Sequence, residues 1–189
     1  VHWQSTGAIT RSRMSDLTQV TRVTSRGMIT LRGDLTSAQM KKTVKAVTGQ
    51  AMPSSGQFLG DVTSGVAWMS PDELLLVVPY ADVAKSVAQI DDTLKGQHYL
   101  AADVSDARAV FSVSGKNARD VLARLCPVDL HADSFGVGQF RRTRMAQVAA
   151  AFWMHDTGFE VVCFQSVGDY AQDLLTQAAK NAAGSRDYA

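Results

Sequence analysis

Arg141, Arg142 and Arg144 concentrate one sign of charge more sharply than any other stretch of this chain. Their flat, five-donor guanidinium groups suit bidentate pairing with carboxylates. Side chains alternate along an extended strand, so Arg142 and Arg144 share one face while Arg141 points with Thr143 and Met145. Two readings follow: a contact surface for an acidic patch on a partner protein, or a solvated strand edge whose charge prevents edge-to-edge pairing. Nucleic acid fits poorly, because neither an aromatic stacking platform nor a basic overall balance accompanies the cluster. Trp68 is the other interface candidate, since aromatic anchors dominate many interfaces. It lies, like Trp153, in an apolar stretch where core packing is the simpler expectation.

Other reactive residue types lack partners at working spacing. Asp103 and Asp106 stand three apart around Ser105, which in an extended segment puts them on opposite faces; turn formation is their expected role, with Asp106 as the turn residue. His2, His98, His131 and His155 are scattered without HxH or HxxxH spacing, so no metal set forms, and His131 and His155 are expected to face solvent from loops. Cys126 and Cys163 belong to no CxxC motif and read as packing residues, the first at a helix C-terminus whose dipole opposes a thiolate. Gly115, Gly136 and Gly138 match neither GxGxxG nor GxxxxGK[ST], so no flavin or nicotinamide cradle is indicated, and Gly136-Val137-Gly138 reads as a mobile turn. These residues assign the chain no catalytic group, no cofactor site and no metal site of its own.

Length and composition bound the rest. A chain of 189 residues buries roughly 70% of its unfolded surface on folding, enough for a core without staples. With 19 basic and 18 acidic residues the net charge is +1, so no global field steers it to nucleic acid or to an anionic membrane. Two isolated cysteines fit a reducing, cytoplasmic compartment. No run of eighteen apolar residues occurs, and the first sixteen residues lack a signal-peptide core. Residues 1–16 read as a flexible leader or expression remnant, 17–183 as a single unit with approximate halves 17–97 and 98–183, and 184–189 as a tail.

The elements that must position these groups alternate. Gly27 to Gly33 reads as a strand. Thr36 and Gln39 form a capping-box pattern, with Leu35 stapled onto Met40, for a helix bearing Met40, Val44 and Val47 and ending at Gly49. Gly65 to Met69 and Glu73 to Val78 form a hairpin around Ser70-Pro71-Asp72, whose second arm is apolar on both faces and belongs in a covered sheet. Val83, Val87, Ile90 and Leu94 mark a second helix. A similar order returns: strands at 99–104 and 107–113, a helix capped by Ser114, a basic and then an apolar strand over Phe140 to Met154, a turn at His155 to Gly158, and a strand from Phe159 to Phe164. The last helix opens at Ser166 and bears Tyr170, Leu174 and Ala178. The expected class is α+β, mostly antiparallel sheet with packed helices in two pseudo-symmetric halves.

Several long phrases then fall in one order: GVAWMSPDELLLVVP, DVSDARAVF, SGKNARDVLARLCPVDL, GQFRRTRMAQVAAAFW and FEVVCFQSVGDYAQDLL. From about Gly27 to Leu175 the chain resembles the gamma subunits of heterotetrameric sarcosine oxidases, relatives of the folate-binding domain of the glycine-cleavage T-protein. The resemblance implies a T-protein-like fold and a noncatalytic accessory subunit that stabilises the large subunit of a complex oxidising sarcosine to glycine. It further implies alpha, beta and delta subunits as partners, chiefly alpha, with FAD, FMN, NAD and zinc held by those partners and none here. In isolation, such a chain is expected to pair with a second copy through the surface a partner covers. Two alternatives stand beside it: a stand-alone folate-binding, one-carbon-transfer protein, and an interaction module of a related flavin oxidase. The chain lacks the KGCYxGQE signature of the related iron-sulfur assembly factors.

Overall fold

Leu74, Leu75, Leu76, Val77 and Val78 are each at most 2% exposed, and an apolar run buried on both faces needs a layer above and a layer below. The computed structural model, which describes residues 18–184, supplies both. Ten strands form two antiparallel, five-stranded sheets. They are β1 (Gln19–Val23), β2 (Arg26–Gly33), β3 (Phe58–Gly60), β4 (Gly65–Ser70), β5 (Glu73–Pro79), β6 (Tyr99–Asp103), β7 (Arg108–Ser114), β8 (Phe140–Met145), β9 (Val148–His155) and β10 (Gly158–Phe164). Four α-helices accompany them: α1 (Ala38–Thr48), α2 (Val83–Thr93), α3 (Ala118–Ala123) and α4 (Gly168–Gly184).

One sheet runs β3-β4-β5-β2-β6 and the other β8-β9-β10-β7-β1. The run Leu74 to Val78 lies in the central strand of the first. Its even-numbered side chains pack with Met40, Val44 and Ile90 of α1 and α2. Leu75 and Val77 face the second sheet and meet Val110, Phe140, Trp153 and Val162. The other face of the second sheet packs Phe111, Phe152, Phe159 and Val161 against Val121 and Leu122 of α3 and Ala171 and Leu175 of α4. The layers are therefore helices, sheet, sheet, helices.

The two sheets have the same internal order once β1 to β5 are matched with β6 to β10, and the helices follow suit. The first strand of each half, however, sits in the other half's sheet: β1 pairs with β7, and β6 pairs with β2. Short crossings at 24–25 and 104–107 carry the chain between sheets, the first through Ser25 at φ 60°. Ser105 secures the second crossing, its Oγ accepting from the Met28 N–H at 3.0 Å.

Local details depart from expectation in instructive ways. The basic and apolar strands expected over Phe140 to Met154 are β8 and β9, and the turn that joins them is Ala146-Gln147, with Ala146 at φ 51°. Asp34 accepts from both the N–H and the hydroxyl of Thr36, so Ser37 becomes the cap of α1, accepting from the Met40 N–H at 3.1 Å. Gln39 is turned away to the Thr93 carbonyl. Gly49 ends α1 as expected, at φ 73° with its N–H on Lys45 O. Ser114 closes β7 and caps nothing; α3 starts after Asn117 without a side-chain cap. The buried stripe of α4 is Ala171, Leu175, Ala178 and Ala182, one position on from the expected Tyr170 and Leu174. The 3-10 turn Gln165–Val167 precedes this helix. The expected leader at 1–16 and most of the tail lie outside the described residues.

Candidate functional site

β8 is an edge strand, so one side of its backbone is left for whatever comes next. Gln139 makes an isolated bridge with Gln57, and the Phe140 N–H donates to Gly56 O, away from β9. Antiparallel strands alternate the direction of their backbone groups. Arg142 and Arg144 therefore also turn their N–H and C=O groups to the free side, while Arg141 and Thr143 pair with Phe152 and Ala150 of β9. Gly136-Val137-Gly138, expected as a mobile turn, is tied down just before the edge: the Gly138 N–H donates to Met154 O, and its carbonyl accepts from the Phe58 N–H.

The arginine side chains divide as alternation requires. Phe140 is buried between the sheets, so Arg142 and Arg144 lean toward that layer, and Met145 is buried on the helix side, which Arg141 shares. All three arginines are exposed. Arg142 Nη1 donates to the Met69 carbonyl of β4 at 2.9 Å. No carboxylate among the described residues lies within ion-pair distance of Arg141, Arg142 or Arg144. Trp68 is not on this surface: it is half-buried on the helix-facing side of its sheet, packed with the α1 and α2 cluster.

Beside Arg142 the layer between the sheets opens into a small cleft floored by Leu75, Ala151 and Val162 and edged by Met69, Arg108 and Phe164. Phe164 is 51% exposed, and the Arg108 guanidinium lies over its ring at 4.1 Å. Burial presses the Arg108 pKa down, and neighbouring Arg142 adds to this while Glu73 opposes it. Glu73 is itself held by Arg32 at 3.4 Å.

Deeper in the same layer is a polar cluster. Glu160, 2% exposed, takes an ion pair from Arg26 at 3.3 Å. His155 stands over it with Nε2 at 3.8 Å from Oε1. The Thr157 N–H donates to His155 Nδ1 at 3.3 Å, so the proton of the neutral ring sits on Nε2, facing the carboxylate. Burial raises the Glu160 pKa against the pull of Arg26 and Ser112, and burial lowers that of His155. Phe58 stacks flat on Trp153 alongside, with centroids 4.6 Å apart. His155 was expected in solvent; its half-buried place follows from this neighbour. A carboxylate inside the apolar run Phe159 to Phe164 is the one sequence signal that points to the cluster, since a buried charge demands a partner.

The remaining candidates resolve simply. Asp103 accepts from the Ser105 N–H and hydroxyl, and Asp106 is a turn residue as expected, inside the turn closed by the Ala107 N–H on Val104 O, with its carboxylate accepting from the Tyr80 hydroxyl at 3.1 Å. His131 is exposed beside Asp133. No group of three or more His, Cys, Asp or Glu able to hold a metal occurs among the described residues. No helix among them is long and apolar enough to cross a membrane. Both cysteines are buried and unpaired, and burial pushes the Cys126 thiol up to about 11. Ellman's reagent at pH 8 should therefore label both thiols promptly in urea and neither in the folded chain. Prompt native labelling at Cys126 would mean that the layer between α3 and its sheet is open to solvent.

Known proteins match along this whole framework. The GCVT N-terminal domain family matches residues 10–187. Sarcosine oxidase subunit gamma of Corynebacterium sp. (strain U-96) is 34% identical over 114 residues, 57% of this chain and 53% of that protein. The Arthrobacter sp. subunit gamma is 30% identical over 110 residues, again 57% and 53% of the two chains. The chain thus spans about half the length of the curated relatives it matches. Among solved structures, heterotetrameric sarcosine oxidase from Corynebacterium sp. U-96, in complex with pyrrole 2-carboxylate, has a chain that superposes with a TM-score of 0.81 at 24% identity, covering 90% of this chain and 87% of that one. Glycine cleavage system aminomethyltransferase T from Bartonella henselae gives 0.61 at 13% identity, covering 84% and 45%. At these identities the two structures establish a shared fold.

Proposed function

Because the chain belongs to the GCVT N-terminal domain family, we propose that it is a noncatalytic accessory subunit, of gamma type, in a heterotetrameric sarcosine oxidase complex. The observation that carries this reading is the likeness in sequence to gamma subunits, joined by a likeness in fold to a chain of a heterotetrameric sarcosine oxidase. In the complex, sarcosine is oxidatively demethylated to glycine with oxygen as electron acceptor, and tetrahydrofolate can capture the one-carbon unit. This chain binds and stabilises the large alpha subunit, and the beta and delta subunits complete the assembly in the cytoplasm.

FAD, FMN, NAD and zinc then belong to the partners. The glycines match no phosphate-binding loop, and the stacked Phe58 and Trp153 and the Arg26–Glu160 pair occupy part of the layer between the sheets. What this chain offers is surface: an arginine edge and an apolar cleft next to it.

Affinity purification of the chain from its native cells tests the reading, with subunit masses and a visible absorption spectrum as readouts. Three companions and a flavin spectrum are the expected result. A colourless, solitary chain would overturn it, and micromolar binding of tetrahydrofolate to that chain would then establish the stand-alone folate-binding alternative.

A further inference from the structure

Taking the accessory-subunit reading as its basis, we infer that the free edge of β8 and the adjoining cleft form one docking surface for an extended acidic segment of a partner polypeptide. The segment adds as a strand beside β8, sets two carboxylates against Arg142 and Arg144, and seats one apolar side chain in the cleft against Phe164.

Three features converge on this occupant. The backbone of Arg142 and Arg144 faces outward, and the bridge between Gln57 and Gln139 covers only the start of the edge. A strand supplies the missing hydrogen bonds, whereas a free small acid cannot. The two arginines share a face and stand about 7 Å apart along the strand, the rise of two extended residues. They therefore match carboxylates at alternate positions of a paired segment. The cleft is apolar at its floor, has a volume of about 80 Å³ and suits one aliphatic side chain. Arg108 and Arg142 at the cleft, and Arg144 farther along β8, have no ion-pair carboxylate among the described residues.

Charge also separates this occupant from a second copy of the chain. Two β8 edges brought together would oppose arginine to arginine, and like charges directly across a ladder repel. The same cations that discourage self-pairing favour an acidic strand, so one feature both rejects and selects. Arg142 is already half-organised for the role, since one guanidinium nitrogen is fixed on the Met69 carbonyl and its other donors remain available. Glu73, the acid nearest to Arg108 in effect, is occupied by Arg32 and does not cancel the patch.

The full chain is titrated with fluorescein-labelled Glu-Thr-Glu-Thr-Leu amide and with the matching Lys-Thr-Lys-Thr-Leu peptide. Saturable binding of the acidic probe is expected, at least about tenfold weaker for the lysine peptide, for the Arg142→Glu/Arg144→Glu double variant and at high salt. Hydrogen exchange at the Arg142 and Arg144 amides should slow when the acidic probe is bound. Arg144→Ala, a milder change, should weaken binding in the same direction, and unchanged thermal midpoints show that the variants fold. No binding at millimolar probe, or equal binding by the double variant, overturns the docking surface. So does a homodimer, seen by sedimentation, that the double variant dissociates, because the occupant is then a second copy. If wild type and double variant both bring flavin-bearing companions from cells in equal yield, the accessory role stands and this surface falls. If wild type comes alone, the accessory role falls whatever the peptide does.

Discussion

Arg26→Met destabilises the chain by about 3 to 5 kcal/mol at neutral pH, because it leaves Glu160 buried as an uncompensated charge. Glu160 is 2% exposed, its ion-pair partner is Arg26, and no other cation lies within 3.5 Å of its carboxylate among the described residues. The pH dependence follows in sign. Burial raises the Glu160 pKa in the fold above its unfolded value. The folded state therefore holds the proton more tightly, and stability tied to this group is present below the ordinary carboxylate range and lost as pH rises through the raised value. Removing Arg26 takes away the larger of the two influences that oppose the shift, the other being Ser112, so the variant's deficit is greatest at pH 7 to 8 and shrinks toward pH 4. Urea titrations of wild type and variant across that range read the difference directly. Glu160→Gln in the same chain should restore most of the loss. A deficit that stays constant with pH would show that Arg26 acts through its packing instead of its charge.

Leu76→Ala should cost about 2 to 5 kcal/mol, the range for emptying a fully buried leucine site. Leu76 is 0% exposed in the central strand of its sheet, paired with Ile29 on one side and Val66 on the other, beneath α1 and α2. Strands held on both flanks cannot slide to close the gap. A measured loss below roughly 0.5 kcal/mol is typical of surface positions and would be incompatible with this layering.

How much of this was readable in the sequence depended on how local each cause is. The β5 run was readable because two buried faces leave an unbroken apolar stretch, and Gly49 was readable because a left-handed helix end favours glycine. The change from the basic β8 to the apolar β9 was readable, but the place of the turn between them was hidden: Ala146 takes φ 51° without glycine, asparagine or proline to announce it. The cap of α1 shifted from Thr36 to Ser37 because Asp34, two residues upstream, captured the threonine. The buried stripe of α4 keeps the expected Ala178 but takes Ala171 and Leu175 in place of Tyr170 and Leu174. The Arg26–Glu160 pair spans 134 residues, and only the presence of a carboxylate in an apolar run hinted at it. The arginine cluster itself was plain, whereas its outward backbone and neighbouring cleft depend on which strand ends the sheet and how the two sheets stack.

The exchange of first strands between halves has a consequence for how the chain comes into being. A peptide of half this length built to the same pattern would find the place for its first strand only in another copy, as in a domain-swapped homodimer. Here both copies are written into one chain, so the swap is intramolecular and independent of concentration. Neither sheet is complete until a strand of the first half has met a strand of the second, β2 with β6 at 99–103 and β1 with β7 at 110–114. The two halves therefore gain their final stability together, and a ribosome releasing the first half has not yet made a finished unit.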